Sequence, residues 1–452
     1  MKKYDSYKDS GIEWIGEIPE HWVSSKVKFE ILPKGYKAGP FGSSLITSEL
    51  LLQGTIKVFS PEHVAEKEIF EEWYLPEERA EEMSQFLVKD KDVVLPIVGT
   101  LGLARVFNSS SDGNGIINQR LARISCNPIK LIPEYFCIIM KDTRNYQEYF
   151  QIQARGSILS HLNKETIVSM PLVLPEIEEQ QLIINYLDHK TTQIDTLIAK
   201  KEQFISLLQE ERTAVINQAV TKGLDPKVKM KDSGIEWLGE IPEHWEVKKL
   251  KLLANIQGRI GFKGYTVGDL VSEGEGALTL GAKHIDKFNQ LNLSNPEFIS
   301  WDKYYESPEI MVQIGDIILT QRGTLGKVIL IKEDIGKATI NPSMVILSKL
   351  KANDYFLYYF FNSDYFKSWI DLTNTATAVP MISQGQLGNL KLVLPNNDEQ
   401  NQIVNSIQKS IKKIDDIIVK AQQEIELLKE YKTALISEVV TGKVDVRDKV
   451  LN

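Results

Sequence analysis

Two stretches of the chain place an apolar residue at every third or fourth position for about ten helical turns at about 3.6 residues per turn, almost without glycine or proline. In the first, a seven-residue register starts at Ile184 and passes through Leu187, Thr191, Ile194, Ile198, Lys201, Ile205, Leu208, Arg212, Val215 and Ala219. In the second it runs from Val404 through Ile407, Ile411, Ile414, Ile418, Ala421, Ile425, Leu428, Lys432, Leu435 and Val439. A seven-residue apolar repeat kept this long predicts two helices packed along one seam. A helix resting only on its own globular domain would also show an apolar side, but the two registers match in length and phase, which favours mutual pairing. Each helix, of about 44 residues, would be ~66 Å long at ~1.5 Å per residue. Pro175 and Pro395 precede the helices, and Gly223 and Gly442 punctuate their ends, as proline and glycine do at helix boundaries.

Elsewhere the apolar period shortens. Residues 23–170 and 246–390 carry brief Val/Ile runs broken by glycine, asparagine and proline, the pattern of an α+β domain. The two blocks are related. Asp92-Val-Val-Leu95 followed by Gly99-Thr-Leu-Gly102 corresponds to Asp316-Ile-Ile-Leu319 followed by Gly323-Thr-Leu-Gly326, and Ile117-Asn118 to Ile340-Asn341. Each reads as a buried strand running into a glycine turn.

Outside the blocks the repetition is near-literal. Lys8 to Trp22 returns as Lys231 to Trp245 with one change, Ile15 to Leu238. Leu172-Val-Leu-Pro175 with Glu179-Gln180 returns as Leu392-Val-Leu-Pro395 with Glu399-Gln400. A repeating unit this large is a whole domain with its connector. The organisation read from it is domain 1 over 1–170, a central helix over 171–222, domain 2 over 223–390 and a distal helix over 391–452. Thr221-Lys-Gly-Leu-Asp225 leads into the second copy of the fifteen-residue segment, and Thr441-Gly-Lys-Val-Asp445 would lead back into the first. That is a circularly closed arrangement, cut once, with its ends near each other.

Composition narrows the class. The 452 residues are 42% apolar and 25% charged, which is ordinary for a globular protein. The longest apolar runs fall far short of the ~20 residues a membrane span needs, and Met-Lys-Lys-Tyr-Asp lacks a signal-peptide core. Cys126 and Cys137 are the only cysteines, so the expected location is the cytoplasm. The net charge of −8 argues against DNA binding by bulk charge, yet charge is sorted along the chain. Glu62 to Glu82 holds nine acidic residues against Lys67 and Arg79, and is expected to face away from any phosphate backbone; residues 101–170 hold eight Lys/Arg against five Asp/Glu. Weak binding in isolation follows.

Catalytic signatures do not occur. There is no phosphate-cradling Gly-x-x-x-x-Gly-Lys-Ser/Thr loop, and Gly274-Glu275-Gly276 fits no dinucleotide fingerprint. The histidines His21, His63, His161, His189, His244 and His284 are scattered, so no metal site is expected. Ser160-His161 reads as a polar loop. There is no Asn-Pro-Pro-aromatic motif of amino-methyltransferases. The expected role is non-catalytic.

Recognition chemistry remains. Gly258-Arg259-Ile-Gly-Phe-Lys263-Gly-Tyr265 sets two cations and two aromatics in a glycine-rich loop, where Arg or Lys can bond guanine or phosphate and Tyr can stack. Its counterpart is Lys37 with Ser43 and Ser44. Further candidates are Asn118, Gln119, Arg120, Arg155, Ser157, Ser160 and His161 in block one. In block two they are Lys283, His284, Gln321, Arg322, Asn341, Ser343, Thr375 and Thr377. A solvated loop would have the same composition; the paired positions in both halves favour binding. Trp14, Trp22, Trp237 and Trp245 are near-identical between halves whose loops differ. They therefore belong to shared packing at the junction of domain and helix.

Taken together, the Gly-Glu-Ile-Pro-Glu-His-Trp segments, Gly-Pro-Phe-Gly-Ser-Ser-Leu, Gly-Arg-Ile-Gly-Phe-Lys-Gly-Tyr, Gly-Asp-Ile-Ile-Leu-Thr (315–320) and the Leu-Pro-x-x-x-Glu-Gln helix starts resemble the specificity subunit of type I restriction–modification systems along essentially the whole chain. The resemblance implies two target-recognition domains separated by two long helices that form an antiparallel coiled coil, with an internal pseudo-two-fold repeat. The seam would be Ile184, Leu187, Ile194, Ile198, Ile205 and Leu208 against Ile407, Ile411, Ile414, Ile418, Ile425 and Leu428. Implied partners are double-stranded DNA, two methyltransferase subunits and two motor-nuclease subunits. S-adenosylmethionine, ATP and Mg would belong to those partners, with no cofactor or metal in this chain. A stand-alone two-domain DNA-binding regulator and a protein-only coiled-coil adaptor are the alternatives. A single-chain restriction enzyme has no room for its nuclease and methylation domains.

Overall fold

The computed structural model describes the chain apart from residues 1, 42–44, 66–70, 100–101, 143, 154–161, 236, 260–263, 287–288, 375–378 and 449–452 and the side chains at 47, 142, 144, 145, 151 and 153. It divides into two units, Met1–Lys201 with Gln422–Asn452, and Glu202–Ala421. Both divisions fall inside long helices, Ile177–Lys222 and Asn397–Val440.

In the first unit, Val93–Pro96 is buried at every position and lies inside a sheet, as an unbroken apolar run requires. The antiparallel order is Ile31–Ala38, Leu121–Cys126, Val93–Pro96, Arg105–Val106. A second sheet joins Tyr74–Leu75, Ile56–Phe59 and Asn114–Ile117, the last two parallel. The repeated fifteen-residue segment forms a hairpin, Tyr7–Asp9 with Glu17–Pro19. The chain then pairs Val23–Lys26 with Pro171–Leu174 just before the helix.

The second unit repeats this plan, with one more strand in its companion sheet. Its four-stranded order is Asn255–Gly258, Met344–Ser348, Ile317–Thr320, Val328–Leu330. The companion sheet runs Leu270–Val271, Phe298–Ser300, Gly276–Leu280, Ala338–Ile340, again with one parallel pair. The hairpin Met230–Asp232 with Glu240–Pro242 and the pair Glu246–Lys249 with Lys391–Leu394 complete the match. The fold is α+β with an internal repeat.

The long helices pair within each unit. In the first, Ile184, Leu187 and Ile194 share a core with Leu435, Ile436 and Val439, with Ile198 and Leu428 packed against it. In the second, Ile216 and Ala219 join Val404, Ile407 and Ile411, while Ile205, Leu208, Ile414 and Ile418 form a cluster made of helix residues alone. Ile425 is also buried. Residue numbers rise along one helix as they fall along the other: Asp195 meets Lys432 at 2.8 Å, Lys201 meets Glu424, and Arg212 meets Asp415 at 3.5 Å. The helices are antiparallel. The three charged residues that interrupt the apolar register are those that reach an acid on the facing helix. Towards their globular cores the helices also turn Ile183, Tyr186, Ile403 and Val220 inward, so each helix packs on its domain as well as on its partner.

The circular closure is visible in the first unit, where the Asp445 N–H donates to the Lys2 carbonyl at 2.9 Å. Gly442, at φ +74°, abuts Pro19 and Trp22, as Gly223, at φ +75°, abuts Pro242 and Trp245. A Cβ on Gly442 would collide with Pro19.

Candidate nucleic-acid interface

Each globular unit gathers three segments at one place by the same backbone hydrogen bonds. In the first unit, Ile97 N–H donates to Arg120 O at 2.8 Å and Leu162 N–H to Ile97 O at 2.9 Å. In the second, Gln321 N–H donates to Ser343 O at 2.9 Å and Ile382 N–H to Gln321 O at 2.9 Å. The glycine turns beside them share the left-handed conformation that favours glycine. There φ is +88° at Gly99, +82° at Gly102, +80° at Gly323 and +83° at Gly326. The scaffold is common, and the side chains on it differ.

Asn118 and Asn341 build the middle turn. The Asn118 side-chain oxygen accepts from Arg120 N–H at 2.9 Å; that of Asn341 accepts from Ser343 N–H at 3.0 Å and from its hydroxyl at 2.6 Å. Such Asx turns explain the residue type at both places. Gln119 and Arg120 are exposed by this turn. Arg120 lies 3.9 Å from Glu62, so the acidic run of residues 62–82 begins beside a candidate residue rather than facing wholly away from it. In the second unit Arg322 is the exposed cation, its side chain in no hydrogen bond or ion pair among the described residues. Gln321 donates to Met344 O at 3.0 Å and Pro342 O at 3.3 Å and braces the turn. Lys283 is half-exposed and paired with Glu297 at 2.6 Å. Lys37 donates to Gln85 at 2.5 Å and lies 4.7 Å from the Phe86 ring.

Two expectations need correction. Arg259 is 5% exposed and donates to Ile340 O and Thr339 Oγ1, each at 3.2 Å, while its guanidinium lies 5.4 Å from the Tyr265 ring. Burial lowers its pKa, because a low-dielectric setting disfavours the charged form. Its donors are turned into the fold rather than to a ligand. Tyr265 is half-buried, its hydroxyl 3.4 Å from Thr279. His284 is 1% exposed: its Nδ1 accepts from Gly281 N–H at 2.9 Å and its Nε2 meets Asn295 O at 3.2 Å. Burial lowers its pKa, and it caps a turn as His63 does with Ser60 N–H at 3.1 Å in the first unit. Ser43, Ser44, Arg155, Ser157, Ser160, His161, Lys263, Thr375 and Thr377 lie outside the described residues.

The repeated residues pair with each other. Glu179 accepts from the Trp22 indole at 3.2 Å and meets His21 at 2.8 Å; Glu399 accepts from Trp245 at 3.0 Å and meets His244 at 2.7 Å. Gln180 bonds Ile132 N–H at 2.9 Å and Pro175 O at 3.0 Å; Gln400 bonds Asn353 N–H and Pro395 O, both at 2.8 Å. The Glu-Gln dyads therefore fasten each hairpin and each domain helix to a long-helix start. Trp14 packs on Tyr146 at 4.8 Å and Trp237 on Tyr365 at 4.4 Å. These tryptophans are scaffold. The sequence showed the Glu-Gln and His-Trp repeats separately; their joint recurrence in both halves was the signal that they touch.

Residues 39–206 and 285–427 match the family described as type I restriction modification DNA specificity domain, so the chain belongs to that family, whose members serve DNA sequence recognition. It is similar to the type I restriction enzyme MjaVIII specificity subunit of Methanocaldococcus jannaschii, 28% identical over 67% of this chain and 68% of that one. A chain solved in work on assembly and conformational transition of the type I R-M system shares the fold, with TM-score 0.65 and 12% identity over 94% of this chain and 99% of that one. The HsdS subunit from Thermoanaerobacter tengcongensis does so with TM-score 0.53 and 14% identity, over 94% and 98%.

Proposed function

We propose that this chain is the non-catalytic DNA-recognition subunit of a type I restriction–modification complex, reading an asymmetric target in two separated parts. The observation that carries it is the shared three-segment convergence bearing unlike side chains. Arg120 occupies the place of Ser343, and Arg322 stands on the opposite loop of its own unit. Arg suits guanine O6/N7 and Gln suits adenine N6/N7 in a major groove. Two readers with different polar groups at equivalent positions call for two different half-sites. The paired helices would set the gap between them, since major-groove faces recur every ~34–36 Å of duplex. Two methyltransferase and two motor-nuclease subunits would dock on the chain and bring S-adenosylmethionine, ATP and Mg with them. With a net charge of −8 on the chain, much of the phosphate binding would fall to those partners.

Methylation-sensitive sequencing of a genome with and without this gene tests the reading. The expected result is a gapped motif with unlike halves; an uninterrupted or palindromic motif overturns it. A stand-alone regulator would instead shift DNA specifically as purified chain without a methyltransferase.

A further inference from the structure

The two copies of the junction between hairpin and long helix are not equally filled. In the first unit Tyr4 lies over it. Its hydroxyl donates to Glu179 at 2.6 Å, its ring meets that of Trp22 edge-on at 6.1 Å, and it is 6% exposed. The Arg447 guanidinium lies 4.9 Å from the Tyr4 ring and bonds Asp445 at 3.0 Å; Lys2 stands 3.7 Å from the same acid. Val444 and Asp445 are buried beneath this cover, 3% and 2% exposed. Residues 2–4 and 444–447 meet here and together cover the junction.

In the second unit the continuous turn segment 224–229 takes the place of those two segments. Lys227 falls where Tyr4 stands in the hairpin repeat and where Arg447 stands in the helix-end repeat, and it is exposed. Leu224 and Asp225, the counterparts of Val444 and Asp445, are exposed as well, Leu224 at 45%. The Glu399 side chain is 22% exposed where that of Glu179 is 8%. What is left is a groove of about 680 Å³ lined by Leu224, Asp225, Asn396, Asp398, Glu399 and Gln402. Glu399 lines this groove and keeps the indole and imidazole partners that Glu179 has, without the phenol.

We infer that this open groove is a docking site for an extended segment of a partner protein that presents a tyrosine. The phenol would donate to Glu399, as Tyr4 does to Glu179. An aromatic side chain buries ~150–250 Å², the largest contribution one residue can bring to such a site. The inference is independent of DNA recognition, since its evidence is the filled copy of the groove in the same chain.

The probe is a synthetic peptide of residues 1–8, Met-Lys-Lys-Tyr-Asp-Ser-Tyr-Lys, labelled and titrated against the full chain by fluorescence anisotropy. Saturable binding at one peptide per chain is expected. Alanine at the peptide's Tyr4 should weaken it at least about tenfold, the cost of a lost hydrogen bond to a charged group. Gln402→Trp, an exposed change that fills the groove, should abolish binding, while Gln402→Ala should leave it. No saturable binding to the unaltered chain overturns the inference, and so does equal binding to Gln402→Trp. If the chain instead self-associates and Gln402→Trp alone makes it monomeric, the occupant is a second copy, and the assignment to a partner protein fails.

Discussion

Arg123 reaches Asp92 at 3.1 Å, an ion pair buried among the strands of the first unit. The second unit keeps the acid as Asp316 and puts Ile346 where the arginine stood. Asp316 is 6% exposed and accepts from Gln313 N–H at 2.8 Å. Burial pushes its carboxyl up from 3.8 to about 6. The folded chain therefore holds this proton more tightly than the unfolded chain. That favours folding at acid pH and is lost as pH rises through about 6. At ~1.4 kcal/mol per pK unit the effect is about 3 kcal/mol. Protection of strand Ile317–Thr320 against hydrogen exchange, corrected for the intrinsic pH dependence, should fall as pH rises from 3.8 to about 6 and level off above that. Asp316→Asn should flatten that dependence; an unchanged slope would refute the assignment.

Glu179 and Glu399 hold equivalent positions with unequal loads. Glu179 serves Trp22, His21 and Tyr4, whereas Glu399 serves only Trp245 and His244 among these groups. Leaving a buried donor unsatisfied costs about 1–3 kcal/mol. Glu179→Ala should destabilise its unit by roughly 3 kcal/mol and Glu399→Ala by roughly half of that, because one donor fewer is orphaned and water can reach the site. Urea unfolding followed by limited proteolysis, with fragments assigned to each unit, measures both. Equal losses would mean that the Tyr4 hydroxyl contributes nothing.

The seam predicts its own weak point. Ile418 packs with Ile414, Leu208 and Ile205, with no globular core beside them, while Ile407 sits in a large core of its unit. Ile→Ala at a buried site costs ~2–5 kcal/mol, more where the surroundings cannot collapse. Ile407→Ala should fall near the top of that range and Ile418→Ala near the bottom. Thermal unfolding of the two variants under one set of conditions decides the order.

Much of this was legible in the chain. The heptads located both long helices, because a seam needs an apolar residue at fixed intervals, and Lys201, Arg212 and Lys432 broke the pattern only where an opposing acid met them. The repeats gave the two-unit organisation. Side-chain direction was not legible. Arg259 and His284 sit in polar, glycine-rich sequence and look solvent-facing, yet each satisfies backbone groups inside its domain. Composition cannot distinguish a cation that reads a ligand from one that closes a turn. The pairing of Ile97, Arg120 and Leu162 was invisible for another reason: backbone hydrogen bonds leave no residue signature.

Arg120 and Arg322 are exposed cations at the segment convergence of the two units. Each is exposed on a braced turn, Arg120 after the Asn118 turn and Arg322 beside the left-handed Gly323. If each reads a base edge in its own half-site, losing one bidentate contact should relax discrimination by ~1–3 kcal/mol at a single base pair. Arg120→Ala should then degrade one half of the methylated motif and Arg322→Ala the other, with the gap unchanged in both. Replacing residues 246–390 with a foreign block should exchange only the half that Arg322→Ala degrades. Inserting four residues after Arg212 should instead lengthen the gap and leave both halves intact. Methylome sequencing reads all four variants on one scale. Loss of affinity spread evenly over all sequences would make the arginines phosphate contacts, and a block exchange that altered both halves would end the model of independent readers.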